Sequence, residues 1–483
     1  MSGIQLLIFI QQVLIWGHLL LVVGFAVRVI MRRLPVGASL AWLLVLALLP
    51  YVGVGLYLLF GERFLGLTHK QRSTRLRQAY GLNPRVSLPH HFNWQGCHPA
   101  SASLSNLEFY TSGIPAVGGN RLQFFKNAEE TIGHLCDDIR MAEHHCHLEF
   151  YIWQPGGLPD GVVEALLEVA ERGVRCRIML DAVGSASFFS SNLARTLRDG
   201  NIELIKACPI GIMPWHLARY DLRNHRKTVV IDDRVAYMGS FNLIDPMQFK
   251  RGAGVGAWVD LMARIEGPVV TLFDAVFRGY WNIETGQDLP LLDADIERRY
   301  DQAVVQVAPS GPDAASESIL FALLQAIYAA AVSVDIVTPY FVPGEALELA
   351  LKIAARRGVK VRIIVPEKVD SFLVRHASRS YFADLLAAGV EIYQYEQNLL
   401  HSKCVVIDES LAFFGTVNLD LRSLWLNFEM TLIVYDPANA KILAGILADY
   451  RQQGHLLNLQ QWQQRPQLSR FFENITHLFS PLI

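Results

Sequence analysis

The chain has 483 residues, 43 Lys plus Arg against 45 Asp plus Glu, 52% hydrophobic and 18% charged positions, and a formal net charge of −2. This composition excludes an intrinsically disordered chain, and without a basic excess it excludes a general nucleic-acid binder. The charge is uneven: residues 1–80 hold eight Lys or Arg and one acid, Glu62, a net +7 that leaves −9 for the rest.

In chain order, the first predicted elements are two apolar runs, Ile4 to about Val27 and Ala38 to Phe60. Each exceeds the roughly 20 residues a helix needs to cross the hydrocarbon core, so they predict a transmembrane hairpin over residues 1–60. A cleaved signal peptide fits poorly, because there is no basic leader, the first run is too long and a second follows at once. Arg28, Arg32 and Arg33 lie in the connecting turn, while Arg63, Lys70, Arg72, Arg75 and Arg77 follow the second run. Five cations against three lean towards a cytoplasmic body in a bacterial inner membrane, crossed more than once. The six cysteines show no disulfide-framework spacing, which suits a reducing compartment. Residues 61–119 are rich in turn formers and read as a basic juxtamembrane segment and linker.

Beyond the linker the chain repeats itself. The apolar run Leu148–Trp153 leads into Pro155-Gly156, a helical pattern ending at Arg172-Gly173-Val174, and a strand-like run Arg175–Leu180. Val334–Val342 leads likewise into Pro343-Gly344, a helix ending at Arg357-Gly358-Val359, and Lys360–Val365. Strands alternating with helices predict an α/β fold, a sheet sandwiched by helices, in two halves, 120–298 and 299–483, related by a pseudo-two-fold axis.

The strongest repeat carries chemistry. His225-Arg226-Lys227-Thr228-Val229-Val230-Ile231-Asp232 is followed after six residues by Gly239-Ser240-Phe241-Asn242. His401-Ser402-Lys403-Cys404-Val405-Val406-Ile407-Asp408 is followed after six residues by Gly415-Thr416-Val417-Asn418, 176 positions later. On a strand, His and Lys at i and i+2 share a face and line a pocket, whereas Asp at i+7 has opposite parity and braces from behind. Ser240, Asn242, Thr416 and Asn418 offer hydroxyls and amides to phosphoryl oxygens. Two halves face to face would supply two His, two Lys and two Asn. That set suits phosphodiester exchange: one imidazole attacks phosphorus, the other moves protons, and the ammonium groups stabilise the non-bridging oxygens, with no metal required.

At these residues the chain resembles the phospholipase D superfamily, whose hallmark is a paired H-x-K-x4-D motif followed by G-[ST]-x-N. Within it the likeness is to the bacterial cardiolipin synthases, most closely their A type. It extends to Ala41-Trp42-Leu43-Leu44, Glu149-Phe150-Tyr151-Ile152-Trp153-Gln154-Pro155-Gly156-Gly157, Thr338-Pro339-Tyr340-Phe341-Val342-Pro343, the run Asn418–Glu429 and the closing Phe479-Ser480-Pro481-Leu482. The resemblance implies two phospholipase D-like α/β/α halves with His225, Lys227, Asp232, His401, Lys403 and Asp408 as catalytic residues. It implies that two phosphatidylglycerol molecules give cardiolipin and glycerol through a phosphohistidine, with membrane lipids as partners, no nucleic acid and no cofactor. His225 as nucleophile and His401 as acid follow by analogy, since the halves are too alike to decide. The resemblance also implies a downstream acid orienting each histidine, for which Glu429 and Asp260 are the candidates; either can equally be a surface or helix-cap acid. Hydrolysis, transfer to another alcohol, and a non-catalytic membrane scaffold are the rival readings, and oligomeric state stays open. A superfamily nuclease would need a more basic body.

Other features read more simply. Glu143-His144-His145-Cys146-His147 lacks a second ligand group at a recognised spacing and reads as a polar turn. Gly252-x-Gly254-x-Gly256 has no following helix and reads as a loop. Phe471, Phe472, Ile475, Leu478 and Phe479 form an amphipathic stripe that either lies on a lipid surface beside the active site or packs against the body. Phe188, Phe189, Met213 and Trp215 either guide acyl chains or fill core.

Overall fold

The computed structural model describes residues 3–32, 34, 36–61, 94–209, 221–290, 300–313 and 318–478. The cluster Arg63–Arg77, Met213, Trp215 and the closing residues from Phe479 lie outside them. The chain divides into an apolar unit, Met1–Leu67 with Ile210–Leu222, and a body comprising Thr68–Pro209 and Arg223–Ile483.

In the apolar unit, the first run is one helix, Gly3–Met31, within which Gln11–Met31 is long and apolar enough to cross a membrane. The second run differs from the single helix expected of it: Val36–Leu48 is followed by a separate helix, Pro50–Leu56, and a π-turn, Tyr57–Gly61. The break falls at Pro50, which opens the second helix and has no backbone N–H with which to continue the first. Val29, Leu46 and Tyr57 form the buried contact of this unit, with Phe25 and Trp42 edge-on to the Tyr57 ring.

The body is built on one 15-stranded sheet among the described residues. Its first half supplies β1 (Val117–Phe125), β2 (His145–Phe150), β3 (Arg175–Asp181), β4 (Glu203–Ala207), β5 (Lys227–Ile231), β6 (Val235–Gly239) and β8 (Met262–Glu266), with the short β7 (Trp258–Val259) outside the main sheet. The second half supplies β9 (Ala303–Ser310), β10 (Ser333–Val337), β12 (Lys360–Pro366), β13 (Glu391–Tyr395), β15 (Cys404–Ile407), β16 (Leu411–Gly415), β18 (Glu429–Val434) and β19 (Gly454–Leu456). The remaining pairs are small: β11 (Phe341–Val342) with β17 (Leu419–Asp420), and β14 (Leu399–Leu400) with β7. The order β19-β13-β12-β10-β15-β16-β18-β9-β1-β8-β6-β5-β2-β3-β4 reads almost alike from either end. The halves meet where β1 pairs antiparallel with β9.

A bulge interrupts that seam between Val117 and Asn120. Buried Asn120 closes it, donating to the carbonyls of Val117 and Ala303 and accepting from Val269 N–H. One apolar core runs across the seam, joining Val230, Met238 and Ile265 to Val307, Phe414 and Leu432 under the helices Val269–Thr285 and Pro437–Gln452. The opposite faces are covered separately, by Ala128–Arg140 and Asp160–Glu171 in one half and Ser318–Ala329 and Gly344–Arg356 in the other. Residues 94–119, expected to belong to the linker, instead hold the helix Ser101–Ser112, whose Leu104 enters the second half's core. Phe188 is fully buried and stacks on Trp153, so it fills core.

Asp232 and Asp408 brace from behind, as their strand parity predicts, and do not enter the catalytic set that the resemblance implied. Each opens a tight turn after its strand, with φ of 53° at Asp232 and Asp233, 51° at Asp408 and 50° at Glu409, values that Asp tolerates better than most residues. Their carboxylates bind backbone. Asp232 accepts from the N–H groups of Glu143, His144 and His145, and Asp408 from those of Ala331, Val332 and Ser333. Burial opposes the charge, but these three donors hold each carboxyl below its ordinary value. Each aspartate thus pins the far end of the motif strand to the start of its neighbour, β2 or β10. Asp408→Ala would strand three N–H groups and cost about 2–4 kcal/mol. Thermal denaturation of the detergent-solubilised protein should show the loss, while turnover per folded molecule changes by less than about threefold.

Candidate active site

Short cross-half backbone contacts create the site. Just before β5, His225 donates its N–H to Phe428 O at 2.9 Å, and Phe428 N–H returns to Arg223 O at 2.9 Å. Just before β15, Leu399 N–H reaches Ala257 O at 3.0 Å and His401 N–H reaches Val259 O at 2.8 Å. Each motif histidine is therefore delivered to an acid carried by the other half. His225 Nδ1 lies 2.9 Å from Glu429 Oε2, and His401 Nδ1 lies 2.6 Å from Asp260 Oδ1.

Both acids are ionised acceptors. Burial works against them, but the neighbouring imidazole and lysine, with the Thr416 or Ser240 hydroxyl, hold Glu429 and Asp260 below their ordinary values. A carboxylate can only accept, so each Nδ1 carries the proton and each Nε2 keeps its lone pair. Burial pushes both imidazoles down to about 4 despite the carboxylates, so both are neutral at neutral pH.

The lysines lie beside them. Lys227 Nζ donates to His225 O at 2.7 Å and Lys403 Nζ to His401 O at 2.5 Å. Burial pushes Lys227 down to about 8 and Lys403 down to about 7 despite the nearby acids, and Lys403 is further repelled by Lys227. His225 also feels the charge of Lys403, and His401 that of Lys227. The two motifs share one electrostatic environment.

Ser240 and Thr416, expected to grip substrate, are already committed. Ser240 Oγ donates to Asp260 Oδ1 at 2.6 Å and accepts from Leu261 N–H, while Thr416 Oγ1 donates to Glu429 Oε2 at 2.6 Å and accepts from Met430 N–H. They hold the orienting acids. The preceding glycines make this possible, because a Cβ at Gly239 or Gly415 would lie 2.3 Å from Leu261 O or Met430 O. Asn242 Oδ1 accepts from Ile152 N–H, and Asn418 Nδ2 donates to Ser423 Oγ. The Asn242 amide nitrogen remains a donor for a phosphoryl oxygen.

These features meet a family already visible in the motif. The family model described as "Cardiolipin synthase, PLD-like domain" matches residues 135–257 and 323–450, and "Phospholipase_D-nuclease N-terminal" matches residues 20–62. Cardiolipin synthase A of Klebsiella pneumoniae is 44% identical over 484 residues, spanning 98% of this chain and 99% of its own. The chain is a member of the cardiolipin synthase branch of the phospholipase D superfamily. Cardiolipin synthase A of Erwinia tasmaniensis is also 44% identical, over 97% of this chain and 98% of its own. The crystal structure of phosphatidylserine synthase from Haemophilus influenzae, 15% identical, matches with a TM-score of 0.57 over 78% of this chain and 99% of its own, which speaks to the fold.

Sequence reasoning missed two aromatic walls of this cardiolipin synthase-type site. Tyr151 sits edge-on to the His225 ring at 4.9 Å, and Trp258 covers the His401 ring at 4.3 Å. Trp258 stands two residues before Asp260, and Tyr151 lies in the Glu149–Gly157 run, so position alone could have flagged both. Arg226, between His225 and Lys227, is fully buried, donates Nε–H to Glu429 O at 3.0 Å and stacks over the Tyr280 ring at 3.7 Å.

Of the segment read as a polar turn, Glu143 and His144 form an exposed bend, but His145–His147 are the buried start of β2. His145, His147 and Asp274 place three ligand-type atoms within 4.8 Å of one another. Both His147 nitrogens are spent, however: Nδ1 faces Asp274 Oδ1 at 2.5 Å, Nε2 accepts from Arg177, and Arg278 neutralises Asp274. This is an ion-pair network, poorly suited to a cation.

Two results should follow. Glu429→Gln would let an amide donate to Nδ1 and invert the His225 tautomer, lowering kcat by about 10²–10⁴-fold with little change in Tm. Tungstate should bind progressively more weakly, by roughly tenfold or more, as pH rises from about 6 to about 9. Over that range the two lysines pass from cationic to neutral while the histidines are already neutral; isothermal titration at each pH measures it.

Proposed function

We propose that this chain joins two phosphatidylglycerol molecules into cardiolipin with release of glycerol, by two in-line displacements at one site. The observation that carries this reading is the crossed pair of His–acid dyads, each with Nε2 free, in a buried pocket holding two ammonium groups. A bound phosphodiester brings a negative charge, which draws the protons of both lysines and one histidine back towards the pocket.

His225 Nε2 attacks phosphorus of the first lipid, the bond to the headgroup glycerol oxygen breaks, and His401 gives that oxygen its proton. A hydroxyl of the second phosphatidylglycerol then attacks the phosphohistidine, its proton passes to His401, and the N–P bond breaks. One diester replaces another, so the balance needs no nucleotide. Lys227 and Lys403 offset charge on the non-bridging oxygens, with Asn242 as a further donor. The aromatic walls of Tyr151 and Trp258 limit water at the intermediate, which favours a lipid alcohol over hydrolysis.

Membrane association follows from the apolar first helix together with the lipid chemistry. We further place the chain in the bacterial inner membrane as a multi-pass protein with the body on the cytoplasmic side, supported by the five basic residues after the second apolar run against three in the turn.

The decisive assay uses purified protein in vesicles of labelled phosphatidylglycerol without nucleotide or added metal. Cardiolipin and glycerol should appear in equal amounts, and His225→Ala or His401→Ala should each lower the rate at least about 10²–10⁴-fold. An alkaline quench should leave label on the His225 peptide. Phosphatidic acid as the product would make water the acceptor and contradict the transferase reading, and label on His401 would reverse the two roles.

A further inference from the structure

The C-terminal helix Gln467–Leu478 is amphipathic in the reverse sense for a helix packed on a water-soluble body. Its buried face is polar. Glu473, only 3% exposed, receives both Nη groups of Arg465 at 2.6 and 2.9 Å and lies 3.5 Å from Arg379, and buried Thr476 hydrogen-bonds to the Glu473 carbonyl. Its apolar residues face out: Leu468, Phe471, Phe472 and Leu478. The helix Phe372–Ser380 packs against it and exposes Phe372 and Leu373 as well. These six side chains are between 47 and 76% exposed. A cluster of this kind marks an interaction surface rather than incidental exposure.

Two further features identify the occupant. With Glu473 neutralised by Arg465 and Arg379, the two helices leave Arg375 and Arg470 and carry no other acid, so the surface is basic as well as apolar. It also adjoins the site. Asp370, beside the N-cap Ser371 of the second helix, accepts from Lys250 Nζ at 2.8 Å and from Tyr340 Oη at 2.7 Å. Lys250 Nζ lies 5.9 Å from the Trp258 ring that covers His401.

We propose that this helix pair is a docking surface for an anionic lipid bilayer, which seats the His401 side of the pocket at the headgroup level. Polar, directional contacts fix the helix to the body and leave its apolar stripe for the acyl boundary, while Arg375 and Arg470 meet phosphate groups. A lipid would then enter past the Lys250–Asp370 pair without leaving the interface. The inference rests on the lipid-transfer reading above and names the surface that serves it.

The test uses the full chain. The combined variant Leu468→Ser, Phe471→Ser, Phe472→Ser should lower turnover of vesicle phosphatidylglycerol at least about tenfold, mainly through KM. Turnover of a short-chain, water-soluble phosphatidylglycerol, presented as monomers to the detergent-solubilised protein, should be unchanged. An environment-sensitive fluorophore on Phe472→Cys should be quenched by brominated lipids in the reconstituted protein. Equal losses on both substrates, no loss on either, or a fall in particle mass showing that the patch joins two copies would each overturn the proposal. If the unsubstituted chain turns over neither substrate, the transfer reading fails, and quenching alone decides the surface: quenched supports it, unquenched refutes it.

Discussion

Everything at the catalytic centre depends on two short backbone contacts across the pseudo-two-fold axis, His225 N–H to Phe428 O and His401 N–H to Val259 O. An extended segment can adopt only a few registers against its neighbour, so once these bonds form the side chains have no freedom to miss. Each places a histidine opposite an acid two residues or fewer from the pairing point. Neither half contains a complete dyad, so the seam between β1 and β9, the Asn120 bulge and the core beneath them are conditions for chemistry as much as for stability. Duplication accounts for the order of the strands, and the crossed acids make the duplicated units one machine.

Burial then sets the chemistry. Two imidazoles, two ammonium groups and two carboxylates lie together with little water, and desolvation pushes each cation towards its neutral form. In the proposed mechanism this keeps a neutral imidazole ready as nucleophile, and positive charge returns to the pocket when an anionic phosphodiester binds. Ser240 and Thr416 hold the acids so that this exchange of charge does not disturb the hydrogen bonds that fix each imidazole. Asp232 and Asp408 act one strand-length away, giving the motif strands a rigid end.

The repeat, the α/β alternation and the placement of His and Lys on one face were all legible, because they depend on short-range periodicity and fixed spacing. The acids that hold those histidines were named only through the resemblance, and their crossed pairing was not legible. Glu429 and Asp260 bind histidines 204 and 141 positions away, and local sequence holds no record of which acid crosses the axis. Ser240 and Thr416 looked like phosphate ligands because a hydroxyl beside a glycine suits either role, and only the approach of the next strand shows the hydroxyl already used. His145 and His147 looked solvated because their carboxylate partners, Asp233 and Asp274, are supplied from elsewhere in the fold. Pro50 was a readable break in the second apolar run, outweighed by the hydropathy on both sides of it. The outward-facing aromatic residues of the last helix were visible as a stripe, but which face was buried depended on Glu473 and Arg465.

The central claim is that each half orients the histidine of the other. Nitrogen NMR of isotope-labelled histidine in the solubilised protein reads it directly, since the shifts of Nδ1 and Nε2 report which atom carries the proton. Glu429→Gln should move the His225 resonances and leave those of His401 in place, and Asp260→Asn should do the reverse. A His225 signal that responds to Asp260 and ignores Glu429 would contradict the crossed arrangement on which the mechanism stands.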